Sequence, residues 1–227
     1  MRNIKKTILV TGGSRGIGLA ITKELLKKRN LIYLNHKTNT PELEKFFNKN
    51  QKQIIPLKAN LFLKKEIEFI LNRFLNDNTF PDVIINNAGI APSAPISYTS
   101  NKWEAQWDKT IGVNLKAPAL ICKAFIDHKI KMRINKKLRI INISSRAAFR
   151  GETEDFIPYA ASKGGLISLT KTIAKSFGKN GVLSFSIAPG FVKTEMAEDF
   201  IKKYSFDHAM EGIVLNRLTE PSDIAPI

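Results

Sequence analysis

Tyr159-Ala160-Ala161-Ser162-Lys163 sets a phenol and an ammonium four residues apart. The stretch from Pro158 to about Asn180 is a long pattern without internal proline, which predicts one helix. At that spacing Tyr159 and Lys163 share a single helix face. A phenol ionises near pH ~10 in water, and a neighbouring ammonium favours the phenolate, so Tyr159 is expected to exchange a proton at neutral pH with Lys163 as its tuner. Ser145 follows an apolar run, Leu138 to Ile143, that reads as a buried strand, and its hydroxyl could hydrogen-bond the same substrate oxygen. Serine would orient, and tyrosine would give or take the proton. Tyr-x-x-x-Lys alone is common, and a tyrosine on an amphipathic helix more often packs than reacts, so the surrounding elements decide what the pair means.

The chain opens with a short apolar run, Thr7 to Val10, followed by Thr11-Gly12-Gly13-Ser14-Arg15-Gly16-Ile17-Gly18 and a helical pattern through Leu19, Ala20, Leu25 and Leu26. Strand, glycine turn and helix are the opening of a dinucleotide-binding unit. The glycines permit a tight turn and close approach of backbone to a pyrophosphate at the helix N-terminus. The spacing Gly12-x-x-x-Gly16-x-Gly18 departs from G-x-G-x-x-G, and a plain loop is the alternative. The second strand, Leu31 to Leu34, ends at Asn35-His36-Lys37, with no acidic residue between Glu24 and Glu42 to hold a ribose 2′-hydroxyl. Arg15 and Lys37 instead offer positive charge for a 2′-phosphate, which predicts NADP(H) over NAD, unless both are simply solvated.

Alternation continues. Pro41 to about Asn50 reads as a helix, Gln53 to Leu57 as a strand, Lys64 to about Asn76 as a helix, and Asp82 to Ile85 as a strand running into Asn86-Asn87-Ala88-Gly89. The small residues there would let a flat ring approach the backbone. Two helical segments carry Trp103 and Trp107, read as core, and Asn114, a buried amide that must find partners and could organise a proton-relay water. Val182 to Ile187 is a sixth strand, turning through Ala188-Pro189-Gly190 into Phe191 to Met196. Such alternation predicts a parallel sheet covered on both faces, within a single α/β domain spanning 1–227.

The chain has 227 residues and is 43% hydrophobic, enough for one sizeable core. The single cysteine, Cys122, excludes an internal disulfide, and His36, His128 and His208 are isolated, so no metal site is expected. No apolar run approaches the ~18 residues of a membrane span; a soluble cytoplasmic protein fits. The net charge of +16 is compatible with nucleic acid, an anionic membrane, an acidic protein partner, or a lysine-rich compositional bias that Lys45 to Ile55 also suggests. The densest cluster, Lys129, Lys131, Arg133, Lys136, Lys137 and Arg139, lacks aromatic interleaving and matches no nucleic-acid module. Together with Lys175 and Lys179 it could steer an acidic carrier protein bearing the substrate as a thioester.

Thr11-Gly12-x3-Gly16-x-Gly18, Asn86-Asn87-Ala88-Gly89, Asn114, Ser145, Tyr159-x3-Lys163 and Pro189-Gly190 occur in one order. Together they resemble the short-chain dehydrogenase/reductase family. Among its members the chain is most similar to 3-oxoacyl-(acyl-carrier-protein) reductases, through Ser14-Arg15-Gly16-Ile17-Gly18 and Arg217 to Ile224. The resemblance implies a Rossmann-type doubly wound sheet of order 3-2-1-4-5-6. It also implies an NADPH-dependent reductase that moves hydride from nicotinamide to a β-ketoacyl-type ketone, with Tyr159 as proton donor. A dehydrogenase of a sugar, steroid or other secondary alcohol is the alternative; a non-catalytic dinucleotide-binding regulator would not need Ser145, Tyr159 and Lys163 together. By resemblance Lys163 also holds the nicotinamide ribose, Asn114 supports the relay, and Ser145 rather than Ser144 polarises the carbonyl. The implied cofactor-binding set is Gly12, Ser14, Arg15, Gly16, Ile17, Gly18, Lys37, Asn60, Leu61, Asn86, Ala88, Gly89, Tyr159, Lys163, Pro189, Gly190, Val192 and Thr194. Implied partners are a small or carrier-bound ketone and further copies in a homodimer or homotetramer, with no nucleic acid and no membrane. Departures are Asn60 where the family commonly has Asp, Ser176 in place of a common acid, and a slightly long Arg146 to Pro158 segment. The family usually continues beyond Ile227 into a helix and a seventh strand; a truncated chain with an exposed sheet edge is expected. Phe191 to Leu215 should cover the substrate.

Overall fold

A computed structural model describes residues 5–210, 213 and 216–227. Six strands, β1 (Thr7–Val10), β2 (Leu31–His36), β3 (Ile54–Lys58), β4 (Val83–Asn86), β5 (Leu138–Ile143) and β6 (Val182–Ile187), form one sheet in the order β3-β2-β1-β4-β5-β6. Every pairing is parallel, with Ile8 beside Ile32 and Val83, and Ile140 beside Ile84 and Ser184. The expected fold class and strand order are what the chain adopts.

Parallel strands require crossovers, and helices supply them: α1 (Gly16–Leu26), α2 (Pro41–Lys49), α3 (Lys64–Asn76), α4 (Ser100–Ile111), α5 (Ala117–Lys131), α6 (Ala147–Arg150), α7 (Ile157–Phe177), α8 (Glu195–Tyr204), α9 (Phe206–Met210) and α10 (Pro221–Ile224). Because successive strand residues point to opposite faces, Leu9, Tyr33, Leu57, Ile84 and Ile140 build one core with Phe74 of α3, Ile121 and Phe125 of α5 and Ile173 of α7. Ile8, Val10, Ile32, Leu34 and Ile85 build the other with Ile21 of α1 and Phe46 and Phe47 of α2. Burying each large apolar side chain stabilises the fold by about 1.5–3 kcal/mol. Tyr33 is wholly inside, stacked on Phe74 at 4.0 Å, and its hydroxyl donates to Asp77 at 2.6 Å.

Several local expectations are corrected. Helix α7 ends at Phe177; a short tighter turn, Gly178–Asn180, completes it, and Gly181 supplies the left-handed φ of +74° that stops the run. Trp103 and Trp107 are not core. They stand one turn apart on α4 and stack on each other at 5.4 Å, half-exposed beside Ile96 and Tyr98. Lys129 is no surface charge: its Nζ is buried and donates to the carbonyls of Ile134 and Lys136, tying α5 to the loop before β5. Lys136 in turn pairs with Asp82 at 2.9 Å.

Candidate active site and cofactor cleft

The C-terminal ends of the strands converge on one rim, where connecting loops can meet a ligand. At the end of β5, Ser144 and Ser145 point apart. The Ser144 hydroxyl donates to the Lys163 carbonyl at 2.9 Å and is buried, so it fastens α7 to the strand. The Ser145 oxygen accepts from the Ala147 amide at 3.1 Å and hydrogen-bonds the Tyr159 phenol. Ser145 is therefore the serine aimed at the tyrosine.

Lys163 is 4% exposed, its Nζ donating to the Ile143 carbonyl at 2.8 Å and lying 5.6 Å from the centre of the Tyr159 ring. Burial without a carboxylate partner pulls its ammonium down to about 8. Tyr159 moves opposite to the sequence-based expectation. Burial raises its phenol, the Ser145 hydrogen bond offsets part of that, and the charge of Glu152 raises it further. The correction has a simple cause: desolvation acts on the whole phenolate, whereas the Lys163 ammonium is already committed to a carbonyl. In this arrangement the Tyr159 phenol holds its proton more tightly than a free one.

Asn114 lies in a wide turn, Gly112–Lys116, inserted between α4 and α5. Its Nδ2 donates to the Ile90 carbonyl at 2.8 Å and the Ser162 hydroxyl at 3.0 Å, and its Oδ1 accepts from the Ile90 amide at 2.9 Å. Both amide protons are thus used to clamp the β4 loop to α7. Gly89, two residues beyond Asn87, keeps this corner open: a Cβ there would stand 3.4 Å from Lys163 Nζ.

The glycine turn lies flush on the β4 loop. Gly12 has φ +61°, and a Cβ on it would meet Ala88 Cα at 2.8 Å; a Cβ on Gly18 would meet the Gly12 carbonyl at 2.2 Å. Asn87 locks this stack, its Nδ2 donating to the Thr11 and Gly12 carbonyls at 3.0 Å each, while Thr11 Oγ1 accepts from the Asn87 and Ala88 amides. Asn35 adds an acceptor for the Gly12 amide. Arg15 precedes α1 in extended backbone and gives it no side-chain cap. Asn35 is a scaffold residue that sequence reasoning did not single out, and Thr11 and Asn87 were quoted only as members of their motifs; polar side chains in or just after apolar strands are the signal that could have assigned these roles.

The remaining cleft residues divide. Lys37 is exposed at the end of β2, where His36 is buried against Phe47 and Lys58 lies close enough to lower the imidazole further, after burial itself. Arg15 is exposed and paired with Glu195. Pro189, Gly190, Val192 and Thr194 line the cavity together with Ile17. Leu61 and Asn86 turn away. Leu61 packs in the core, and Asn86 donates to Asn142 Oδ1 at 2.8 Å and contacts Cys122 Sγ at 3.5 Å, so neither side chain faces a cofactor. The Asn60 amide donates to Glu66, and its Oδ1 accepts from the Phe62 amide, a loop-holding role. Among the described residues no group of three metal-ligating side chains forms, and no helix is long and apolar enough to cross a membrane.

The family model for short chain dehydrogenases matches residues 6–205. The chain belongs to that family. It is 30% identical over 225 residues to the 3-oxoacyl-(acyl-carrier-protein) reductase FabG of Chlamydia trachomatis, covering 98% of this chain and 88% of the relative. The like-named protein of Thermotoga maritima is 30% identical over 229 residues, covering 100% and 90%. Among solved structures, a 4-hydroxyisoleucine dehydrogenase complexed with NADH matches with a TM-score of 0.85 at 27% identity, covering 98% of this chain and 88% of that one.

As a short-chain dehydrogenase the chain is an oxidoreductase, and a cavity of about 380 Å³ opens beside its Ser145 and Tyr159. Apolar Phe156, Phe191, Val192 and Met196 wall it, with Arg146 and Glu152 as the charged lining residues. The segment 191–215, expected to cover substrate, lines the cavity at its described start, where the Thr194 hydroxyl, at the N-cap of α8, accepts from the Ala197 amide. Residues 211, 212, 214 and 215 of that segment, and the side chain of His208, lie outside the described residues. The basic cluster at 129–139 is on the opposite rim, at the N-terminal start of β5. A six-residue strand separates it from Ser145 by roughly 20 Å.

Proposed function

We propose that this short-chain dehydrogenase is an NADPH-dependent carbonyl reductase for ketones of β-ketoacyl type, working as a single-domain, cytoplasmic homodimer or homotetramer. The observation that carries this reading is the convergence of Ser145, a protonated Tyr159 and Lys163 at one end of a largely apolar cavity. The residues fit a nicotinamide cofactor: bare backbone at Gly89 leaves room beside Lys163, and the uncapped first turn of α1 suits a pyrophosphate. When bound, the cofactor supplies the hydride. Ser145 then donates to the carbonyl oxygen, and Tyr159 delivers the proton as charge develops there. Lys163, held on the Ile143 carbonyl, keeps a positive charge behind the phenol and would hold the ribose.

Preference for NADP(H) is supported by Arg15 and Lys37, with Lys58 nearby and no carboxylate at the end of β2. The β-ketoacyl reading is supported by the names of the curated relatives. Steady-state oxidation of NADPH and of NADH against β-ketoacyl, sugar and steroid ketones tests both. Turnover of β-ketoacyl substrates with NADPH well above NADH is expected; a sugar or steroid ketone as best substrate would displace the finer reading, and no turnover with any ketone would displace the reductase reading itself.

A further inference from the structure

Two charged side chains, Arg146 and Glu152, line the otherwise uncharged cavity. Arg146 lies over the Phe191 ring at 5.8 Å. Glu152 is 17% exposed at its side chain, and its ion pair with the Arg150 guanidinium, on the exposed end of α6, is a long one at 3.9 Å. Glu152 is close enough to Tyr159 that its charge bears on the phenol. A carboxylate in a half-dry wall, weakly compensated and near the reacting carbonyl, repels a second carboxylate and favours a neutral or cationic group.

We propose that Glu152 is the specificity-determining residue of the cavity, a charge filter admitting ketones whose neighbouring group is an ester, thioester, amide or ammonium and rejecting free keto acids. This rests on the reductase reading and narrows it: a β-keto substrate would have to arrive with its carboxyl group masked. The filter acts on the substrate alone, since no bond to Glu152 forms or breaks.

Three small ketones of one skeleton make the test: acetoacetate, its ethyl ester and its N-(2-aminoethyl) amide, each with NADPH at pH 7.5. For the unmodified protein kcat/KM should rise from acid to ester to ammonium, with the ester at least about tenfold above the acid. Glu152→Gln should compress the range by raising acid relative to ester. Arg150→Ala, which removes the compensating guanidinium, should widen it. Intrinsic cofactor-binding fluorescence checks that each variant is folded. Acid and ester used equally by the unmodified protein, or an unchanged acid-to-ester ratio in Glu152→Gln, would overturn the filter while leaving the reductase reading intact. Absence of turnover for all three ketones with either cofactor would overturn both.

Discussion

At the scale of residues, the site joins two buried groups that burial drives in opposite directions. Tyr159→Phe removes only the donated proton, so kcat should fall by about 10² to 10⁴-fold while NADPH titration stays close to that of the unmodified protein; near-normal turnover would exclude Tyr159 as donor. Lys163 has a stability signature. Its folded value, about 8, lies below the 10.5 of a free lysine, so between those pH values the unfolded chain binds more protons and stability must rise with pH. The full gain is on the order of 3 kcal/mol. Cys122 and Tyr159, both raised in the folded state, act oppositely once the free thiol and then the free phenol ionise, which confines the clean window to about pH 8–9. Denaturant melts of the unmodified protein and Lys163→Met across that window should diverge as pH rises; parallel curves would mean Lys163 titrates normally. Tyr159, Lys163 and Ser145 were legible because their chemistry is written in residue type and one helical turn of spacing. The direction of the Tyr159 shift was not, because desolvation depends on what closes over the ring. Nor was the inward aim of Asn86, which a single residue of strand register reverses, or of Leu61, which the turn after β3 sets.

At the scale of elements, glycines with similar sequence surroundings serve different ends. Gly18 is forced by contact: a Cβ would stand 2.2 Å from the Gly12 carbonyl and 2.4 Å from Asn87 Nδ2, both fixed by the stack of turn on loop. Gly164, inside α7, meets nothing nearer than the Ala148 carbonyl at 4.0 Å. Gly18→Ala should therefore cost about 2–4 kcal/mol and weaken cofactor binding, whereas Gly164→Ala should stabilise by up to about 1 kcal/mol through helix propensity. Thermal melts of the two variants decide it, and equal effects would refute the distinction. The alternation of strands and crossover helices was readable because β-branched apolar runs alternate with amphipathic stretches throughout; the strand order came only from the family resemblance, since alternation alone fixes no order. The half-exposed Trp103–Trp107 stack was not: apolarity alone does not say which face of α4 the sheet will cover.

At the scale of the molecule, the parallel sheet separates two rims. Chemistry gathers where the strands end, and the basic cluster sits where β5 begins, with Lys129 and Lys136 tied to backbone and Asp82. Lys137→Glu is accordingly expected to leave KM for a carrier-bound ketone and a free ketone alike unchanged within about twofold, the distance exceeding the screening length of roughly 8–10 Å near physiological salt; a selective rise for the carrier-bound form would restore the steering role first expected of this patch. Cys122 marks the boundary between the rims in another way. The chain's single thiol is sealed between α5 and the Asn86–Asn142 cross-link of β4 and β5, and burial pushes it up to about 12. A disulfide reagent can reach it only when that seam parts, so its labelling rate times the spontaneous breathing of the core. If the seam opens only in global unfolding, NADPH at about one hundred times its Kd should slow labelling roughly one-hundredfold. Labelling indifferent to the nucleotide would reveal a local door into the sheet that cofactor binding does not hold shut.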